Sequence, residues 1–593
     1  MRRFIFLFLI LMIAAAWPVD RGNSRIKVNS VHFENNHVFS DAQLEKAIIL
    51  RTSRLLTPVY YLPEMLPEDI SGLERFYRQN GYLEARVAGT EVRIDTTRGQ
   101  AYLSFVLDEG ARTEIESVSI LGNSVIDDQT LFALINLKAG TPYLPKKTEA
   151  AALVILRFYA NHGYLDAEVN PDIRINSVLH TALIDFQIVE SQQYRVGEIR
   201  IKGLTVTRPN TVQREFNFVP GDIIDYSKLL VSQKKLYLTG LFQSVFIRPE
   251  TSSLESQPYK DIVVEIQEGR AGEFNISVGY GTVDHLRSKV ELFDINIFGK
   301  AIKLGGTAKV SAITRGLELG FTEPWTFRRP WRTDINGNYE FLHQPGYDFF
   351  RVLGRMTVGR ALNEHTITSL ALRQEHIRYA SVRVENFTGK SRDNISSLRV
   401  NLIRDSRNNL FNPTNGAVID VNTELVGFAG NKTGMFLRSI ATLKYFLPRP
   451  HNIVWATAFE IGLINAANGI GDVPLSERFY GGGPGSLRGF PYQRVGPLEA
   501  NNLPVGGAVK LVCNLVEMRF PVYKILRSAV FIDLGNVWRN PVDVKQFDLR
   551  LSAGSGIRLD TPVGLARLDW SYNLTHRPGE PKTQIYFSMG QAF

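Results

Sequence analysis

The run Ala566-Arg567-Leu568-Asp569-Trp570-Ser571-Tyr572-Asn573-Leu574 decides the fold. Every second residue is apolar or aromatic, and those between are charged or hydrogen-bonding. A period of two describes a strand with two unlike faces. Phe547, Leu549, Leu551 and Ala553 alternate in the same way with Asp548, Arg550, Ser552 and Gly554. So do Phe274, Ile276, Val278 and Tyr280 with Asn275, Ser277, Gly279 and Gly281. Strands of about 9–11 residues cross a bilayer when tilted. A soluble sandwich also alternates, but here the second face carries Arg and Asp, as the wall of a wet lumen does. The pattern runs from residue 271 to residue 593. At roughly 20 residues per strand and connection it gives about 16 antiparallel strands. The expected fold class is therefore a membrane β-barrel over 271–593.

Upstream, the pattern is a repeat. Phe76-Tyr77-Arg78-Gln79-Asn80-Gly81-Tyr82-Leu83-Glu84-Ala85-Arg86-Val87 returns as Phe158-Tyr159-Ala160-Asn161-His162-Gly163-Tyr164-Leu165-Asp166-Ala167-Glu168-Val169. A weaker third copy, Leu236-Tyr237-Leu238-Thr239-Gly240, is one residue shorter before its glycine. In each copy a helix closes at a glycine, the residue that takes the left-handed conformation most readily. Ile70, Leu73, Phe76 and Tyr77 fall at helical spacing and form the buried face. Strands are expected at Ile26 to Phe33, Leu83 to Val87 and Ala101 to Leu107 in the first copy, with counterparts in the others. Three α+β domains in series follow, over 25–110, 111–192 and 193–270, each built as strand, two helices, two strands.

Arg2 and Arg3, the apolar run Phe4 to Ala16 and the small residues Ala14 to Ala16 read as a signal peptide over residues 1–20. An uncleaved anchor is the other reading of that run. No later segment is apolar for long enough to cross as a helix, so a membrane role requires a barrel. The balance of 68 Lys+Arg against 59 Asp+Glu has no concentrated basic tract. It suits a mixed surface, or one facing acidic lipid headgroups, and no nucleic-acid footprint. The one cysteine, Cys513, excludes an internal disulfide. Gly427-Phe428-Ala429-Gly430-Asn431-Lys432-Thr433 lacks the glycine a phosphate loop needs before its lysine. The histidines show no metal-ligand spacing and no catalytic constellation appears, so no enzyme, metal or cofactor is expected.

At this point the chain resembles a known family. The tandem units ending in GYLEARV and GYLDAEV are similar to POTRA domains. Arg478-Phe479-Tyr480-Gly481-Gly482-Gly483-Pro484-Gly485-Ser486-Leu487-Arg488-Gly489-Phe490 resembles the (V/L)RG(F/Y) motif of the BamA/TamA superfamily of outer-membrane barrel assembly factors. Val530-Phe531-Ile532-Asp533-Leu534-Gly535 resembles its FxDxG motif. Asn409 to Gly416, Asn296-Ile297-Phe298-Gly299 and Phe321-Thr322-Glu323-Pro324-Trp325 also fit. The chain ends on Phe593, an aromatic end that suits such barrels, although Gln591 departs from the apolar run Met589, Phe587, Ile585. Three repeats point to the TamA branch, since BamA usually has five and two-partner secretion transporters two. The resemblance implies a cell outer-membrane barrel with periplasmic repeats, inserting autotransporter-like or other β-barrel clients. It also implies unfolded outer-membrane proteins as clients, a TamB-like inner-membrane-anchored partner and contact with outer-membrane lipids. A general BamA-type factor, and a two-partner secretion transporter or passive pore, are the alternatives.

Two sites are expected. The first is a lumen loop, Gly483, Gly485, Leu487, Arg488, Gly489 and Phe490, anchored on the wall at Phe531, Asp533 and Gly535. Strand parity places Val530, Ile532 and Leu534 toward lipid and the other three inward. A wall carboxylate and a loop guanidinium can pair bidentately. On the residues alone a solvated loop arginine is the simpler reading; the family pattern favours the pair. Glu517 is a second candidate partner, but it shares parity with the apolar Leu511, Cys513 and Leu515. The second site is a lateral seam between the first strand, with Phe274, Gly279 and Gly281, and the last, with Gly590 and Phe593. Its glycines weaken pairing or merely fit the barrel's curvature; the family tips the choice toward a gate.

Overall fold

A computed structural model describes residues 26–593 apart from 54–56, 252–257, 386–390, 429–433, 524, 547, 562–563 and 590–593. The leader expected over residues 1–20, and Gly590 and Phe593 of the expected seam, lie outside the described residues.

Each repeat is a three-stranded mixed sheet. In the first, β1 (Lys27–Glu34) runs parallel to the central β3 (Gln100–Asp108), which pairs antiparallel with β2 (Arg86–Asp95). The second has β4 (Glu114–Leu121), β5 (Glu168–Asn176) and β6 (Thr181–Val189) in the order β4-β6-β5. The third has β7 (Arg195–Lys202), β8 (Phe242–Thr251) and β9 (Tyr259–Glu268) in the order β7-β9-β8. The helices Leu66–Gln79 and Pro145–Asn161 bury Leu73 and Tyr77, and Ile155 and Tyr159. Gly81 and Gly163 follow them with φ of +94° and +93°, the left-handed conformation that ends a helix. In the third copy Leu236 is fully buried four residues before Gly240, and Tyr237 is exposed. The missing residue therefore moves the tyrosine out of the core position.

A carboxylate at the end of each central strand ties down the loop after the opening strand. Glu109 accepts from the backbone N–H of His37 (3.0 Å) and Val38 (3.1 Å) and from the Tyr77 hydroxyl (2.7 Å). Glu190 accepts from Val125 N–H (3.0 Å), the Ser124 hydroxyl and the Tyr159 hydroxyl (2.7 Å). Glu268 accepts from Val206 N–H (3.0 Å), Thr207 N–H (2.8 Å) and the Thr205 hydroxyl. Burial pushes the Glu190 and Glu268 carboxyls up, but these hydrogen bonds outweigh it and hold both at about 2. A folded pKa below the unfolded value stabilises above the unfolded pKa, and that stability is lost as pH falls through the folded one. Hydrogen-exchange protection at Val125, Val206 and Thr207, corrected for intrinsic rates, is thus expected to hold near neutral pH and to fall below about pH 4. Glu190→Gln should lower protection at Val125 already at neutral pH and leave Thr207 unchanged. Equal pH profiles in the variant and the parent at Val125 would contradict this account.

The second half is one antiparallel sheet of sixteen strands in sequence order. They are β10 (Gly272–Gly281), β11 (His285–Ile297), β12 (Ile302–Val310), β13 (Thr314–Glu323), β14 (Arg332–His343), β15 (Tyr347–Asn363), β16 (Thr366–Val382), β17 (Arg392–Asp405), β18 (Gly416–Val426), β19 (Phe436–Arg449), β20 (Ile453–Ala466), β21 (Val509–Tyr523), β22 (Leu526–Trp538), β23 (Arg550–Thr561), β24 (Gly564–Asn573) and β25 (Thr583–Met589). The sheet curls into a nearly closed barrel, with β25 beside β10. Leu568 and Trp570 are exposed on its outside, while Arg567, Asp569, Ser571 and Asn573 are buried on its inside. Two expectations are corrected. β15 and β16 have 17 residues each, far beyond the 9–11 needed to cross. Their outer portions carry charges on both faces, so simple alternation stops before the strand does. β23 begins at Arg550, after the start of the alternation at Phe547.

The Asn296 to Gly299 and Phe321 to Trp325 motifs form a seat at the end of the barrel where β10 begins. Asn296 Nδ2 donates to Thr207 Oγ1 (2.9 Å), and Arg208 N–H donates to the Gly299 carbonyl (2.9 Å). Gly299 has φ +68°, and a Cβ there would lie 2.2 Å from the Val206 carbonyl oxygen. The Trp325 indole donates to Glu215 (2.7 Å). The segment Thr205 to Glu215 is thus fastened to two barrel turns, and its upper part is the same loop that Glu268 holds.

Candidate functional site

Residues 467–508, between β20 and β21, fold back into the barrel. Gly482 and Gly483 turn the chain with φ of +95° and +105°. A Cβ on Gly482 would lie 2.5 Å from the Pro491 carbonyl oxygen, so glycine is required there. Gly483 N–H donates to the carbonyls of Leu487 (3.2 Å) and Phe490 (3.1 Å), closing a tight tip that Gly485 spans without contact at its Cα face. Leu487 and Phe490 bury themselves with Val495 and Val512.

Arg488 stands at this tip and is only 1% exposed. Its Nε and Nη2 donate to the two oxygens of Asp533 (2.8 and 2.7 Å), and its Nη1 to Glu517 (2.5 Å). Its backbone N–H also reaches Asp533 (3.1 Å). The guanidinium carbon lies 3.4 Å from the centre of the Phe531 ring. Asn514 completes the set, donating to Asp533 (2.8 Å) and to the Ser486 carbonyl (3.1 Å). Gly535 sits on the same inner face, where a Cβ would lie 2.2 Å from the Leu511 carbonyl oxygen. Buried charges cost several kcal/mol each unless they are paired and saturated. Bidentate geometry and extra donors meet that condition here.

Glu517 reaches the cluster because β21 is not regular. The ladders to β20 and β22 both shift register here, the latter between Asn514 and Val516. Leu515 and Val516 both face outward, so Glu517 and Arg519 return to the inside with Val512 and Asn514. A β-bulge of this kind inverts parity beyond it, and so Glu517 parts company with the apolar residues whose parity it shares in the sequence.

The tip also touches the last three strands. Gly489 N–H donates to Ser552 Oγ (3.2 Å), and a Cβ on Gly489 would lie 2.2 Å from Ser552 Cβ. The Ser571 hydroxyl donates to the Arg488 carbonyl. The Tyr586 hydroxyl, on β25, donates to the Phe490 carbonyl (2.7 Å). The inner wall here is closely packed, with Arg488, Asp533, Ser552 and Ser571 almost fully buried.

A second anchor ties the loop's entry to the opposite wall. Arg373 on β16 donates to Glu477 and Glu375 (both 2.8 Å), and its Nε lies 3.0 Å from Glu424. The hydroxyls of Tyr347 (3.1 Å) and Tyr480 (2.9 Å) both donate to the Leu475 carbonyl. The loop thus spans the lumen from β15–β18 to β21–β25. Sequence reasoning missed Arg373, Glu477, Ser571 and Tyr586. Inward parity marks Arg373 and Ser571, but nothing local pairs Arg373 with a loop residue so distant in sequence.

The seam is the one place where neighbouring strands do not form a ladder among the described residues. β10 pairs with β11 along its whole length, and β25 pairs with β24 from Thr583 to Met589. Between β10 and β25, Thr282 N–H donates to the Phe587 carbonyl (3.0 Å) and Phe587 N–H to Thr282 Oγ1 (2.7 Å). The Tyr280 and Phe587 rings lie 6.1 Å apart. Phe274 points outward and is exposed. Gly281 faces Phe587, with 3.8 Å from a built Cβ to its carbonyl oxygen, whereas Gly279 makes room for the Arg287 side chain. Among the described residues no cluster of His, Cys, Asp and Glu could hold a metal ion.

Residues 296–593 match the Omp85 superfamily domain, and residues 26–110, 113–191 and 194–269 each match the POTRA family, described as a surface antigen variable number repeat. The outer membrane protein assembly factor BamA of Neisseria meningitidis serogroup B is 23% identical, over 97% of this chain and 79% of the relative. The factor of the same name from Nitratidesulfovibrio vulgaris is 24% identical, over 97% and 74%. The crystal structure of BamA from Haemophilus ducreyi lacking POTRA domains 1–3 superposes with a TM-score of 0.67 at 21% identity, covering 81% of this chain and 99% of that one.

Proposed function

Because this chain belongs to the Omp85 superfamily, we propose that it is an outer-membrane protein assembly factor inserting β-barrel clients through the seam between β10 and β25. The barrel lies in the outer membrane and the repeats in the periplasm. The seam, where no ladder forms among the described residues, carries the proposal. A strand edge without a partner can template an incoming strand by β-augmentation. In hydrocarbon each unpaired backbone group costs several kcal/mol, so a client strand gains by pairing there. The process needs no covalent chemistry and no nucleotide. The lumen loop braces β21–β25 from inside and meets β25 through Tyr586. The β25 side thereby stays rigid while β10 moves.

The general assembly role is supported by the similarity to BamA proteins along nearly the whole chain. A narrower TamA-like role, with autotransporter-like clients and a TamB-like inner-membrane partner, is favoured by one observation, the three repeats. Depletion of the protein followed by quantitative proteomics of the outer membrane separates them. The general role predicts loss of most barrel proteins and of viability. Loss of a few autotransporter-like clients in viable cells would support the narrower one. An unchanged barrel inventory with one missing secreted protein would overturn both.

A further inference from the structure

The outer face of the barrel changes character part-way along β16 and β17. Toward the periplasmic end it presents Leu370 and Leu372 on β16, and Leu402, Val400 and Leu398 on β17. Beyond these, the same faces carry Gln374, His376 and Arg378, and Ser396, Asn394 and Arg392. β16 continues in register with β17 to the pair Arg378–Arg392, directly opposite each other in the ladder. Like charges facing each other on one sheet face are destabilising. Both side chains are exposed. The carboxylates beside them in sequence, Glu375 and Asp393, are buried on the inner face, and Glu375 is taken by Arg373. The same ladder row continues from Arg378 to Phe350 and Phe341, whose rings lie 4.9 Å apart. Aromatic side chains of this kind mark the level where hydrocarbon meets headgroups. β16 runs toward the outer surface, since β10 leaves the periplasmic repeats and each strand reverses direction.

The carboxylate next along this outer face among the described residues, Asp348, is held by Arg383 and His343, so the repelling arginine pair suits an anion supplied by the membrane. We propose that Arg378 and Arg392 bind the phosphate of an outer-leaflet glycolipid. Its acyl chains lie on Leu370, Leu372, Leu398 and Val400. Its sugar hydroxyls meet the intervening Gln374, which accepts from Ser396, and the hydrogen-bonded pair His376 and Asn394. Guanidinium–phosphate pairs are bidentate and strong where water is scarce. The proposal rests on the outer-membrane setting and not on the seam.

The test uses the full chain in phospholipid nanodiscs doped with either a diphosphorylated or a dephosphorylated lipid A-type glycolipid, read by native mass spectrometry. Wild type is expected to retain the phosphorylated form about tenfold better. Arg378→Gln with Arg392→Gln should abolish that preference, while Arg360→Gln, outward near the periplasmic end, should keep it. Arg392→Gln alone should lower the preference, which preserves the test if the double variant folds poorly. Relief of repulsion predicts that Arg392→Gln melts no lower than wild type in zwitterionic detergent, yet lower in the phosphorylated glycolipid. Equal retention by wild type and variants would overturn the proposal. So would displacement of the glycolipid by millimolar inorganic phosphate, which would mark a site for free anion.

Discussion

Arg488→Ala is expected to unfasten the lumen loop and to cost about 3–5 kcal/mol of barrel stability, the usual effect of removing one partner from a buried ion cluster. The loss exceeds that of the hydrogen bonds alone, because Asp533 and Glu517 remain fully buried with their main counter-ion gone. Arg519 and Arg558 still lie near Glu517, at 2.8 and 3.7 Å, so Asp533 is the more severely stranded carboxylate. Adding Asp533→Asn to Arg488→Ala should therefore restore part of the stability, a coupling that a merely steric defect would not show. Arg488→Lys should fall between, keeping a charge but losing the fork. The measurements are the temperature at which the folded band disappears in semi-native electrophoresis and the rate of client insertion in proteoliposomes. Ser486→Ala, in the same loop, is the control and should leave both near wild type. Wild-type heat stability and insertion in Arg488→Ala would remove the loop–wall pair from the account.

Much of this arrangement is legible in the sequence because its physics is local. Alternation along Ala566 to Leu574 reports the two faces of a strand directly, and the glycines of 481–489 announce a tight loop. Asp533 follows from parity on a regular strand. Glu517 does not, because a bulge between it and Asn514 inverts parity, and a bulge leaves no composition signal of its own. The second anchor is hidden for another reason. Arg373 and Glu477 meet only because the loop recrosses the lumen, and that path is set by the barrel's closure. The length of β16 is masked by His376 and Arg378, which suggest a loop but sit on a strand that continues beyond the apolar belt. In the repeats, the two tyrosines at corresponding positions do foreshadow a shared role, but their acceptors Glu109 and Glu190 lie far along the chain, just past the central strands.

Locking the seam is the second large effect. Thr282 N–H donates to the Phe587 carbonyl across the seam (3.0 Å), which makes this pair the natural place to try a disulfide. Among the described residues, the backbone bonds across the seam are those between these two residues, each worth about 1 kcal/mol net. A covalent link there removes the seam's freedom to open while leaving the rest of the barrel and the lumen loop unchanged. The most direct test of the account is thus Thr282→Cys with Phe587→Cys in a Cys513→Ala background, reconstituted in proteoliposomes and assayed for client insertion before and after reduction. The account predicts that the oxidised protein inserts essentially no client and that reductant restores the rate of the background chain. Insertion by the oxidised protein at the unlocked rate would contradict it.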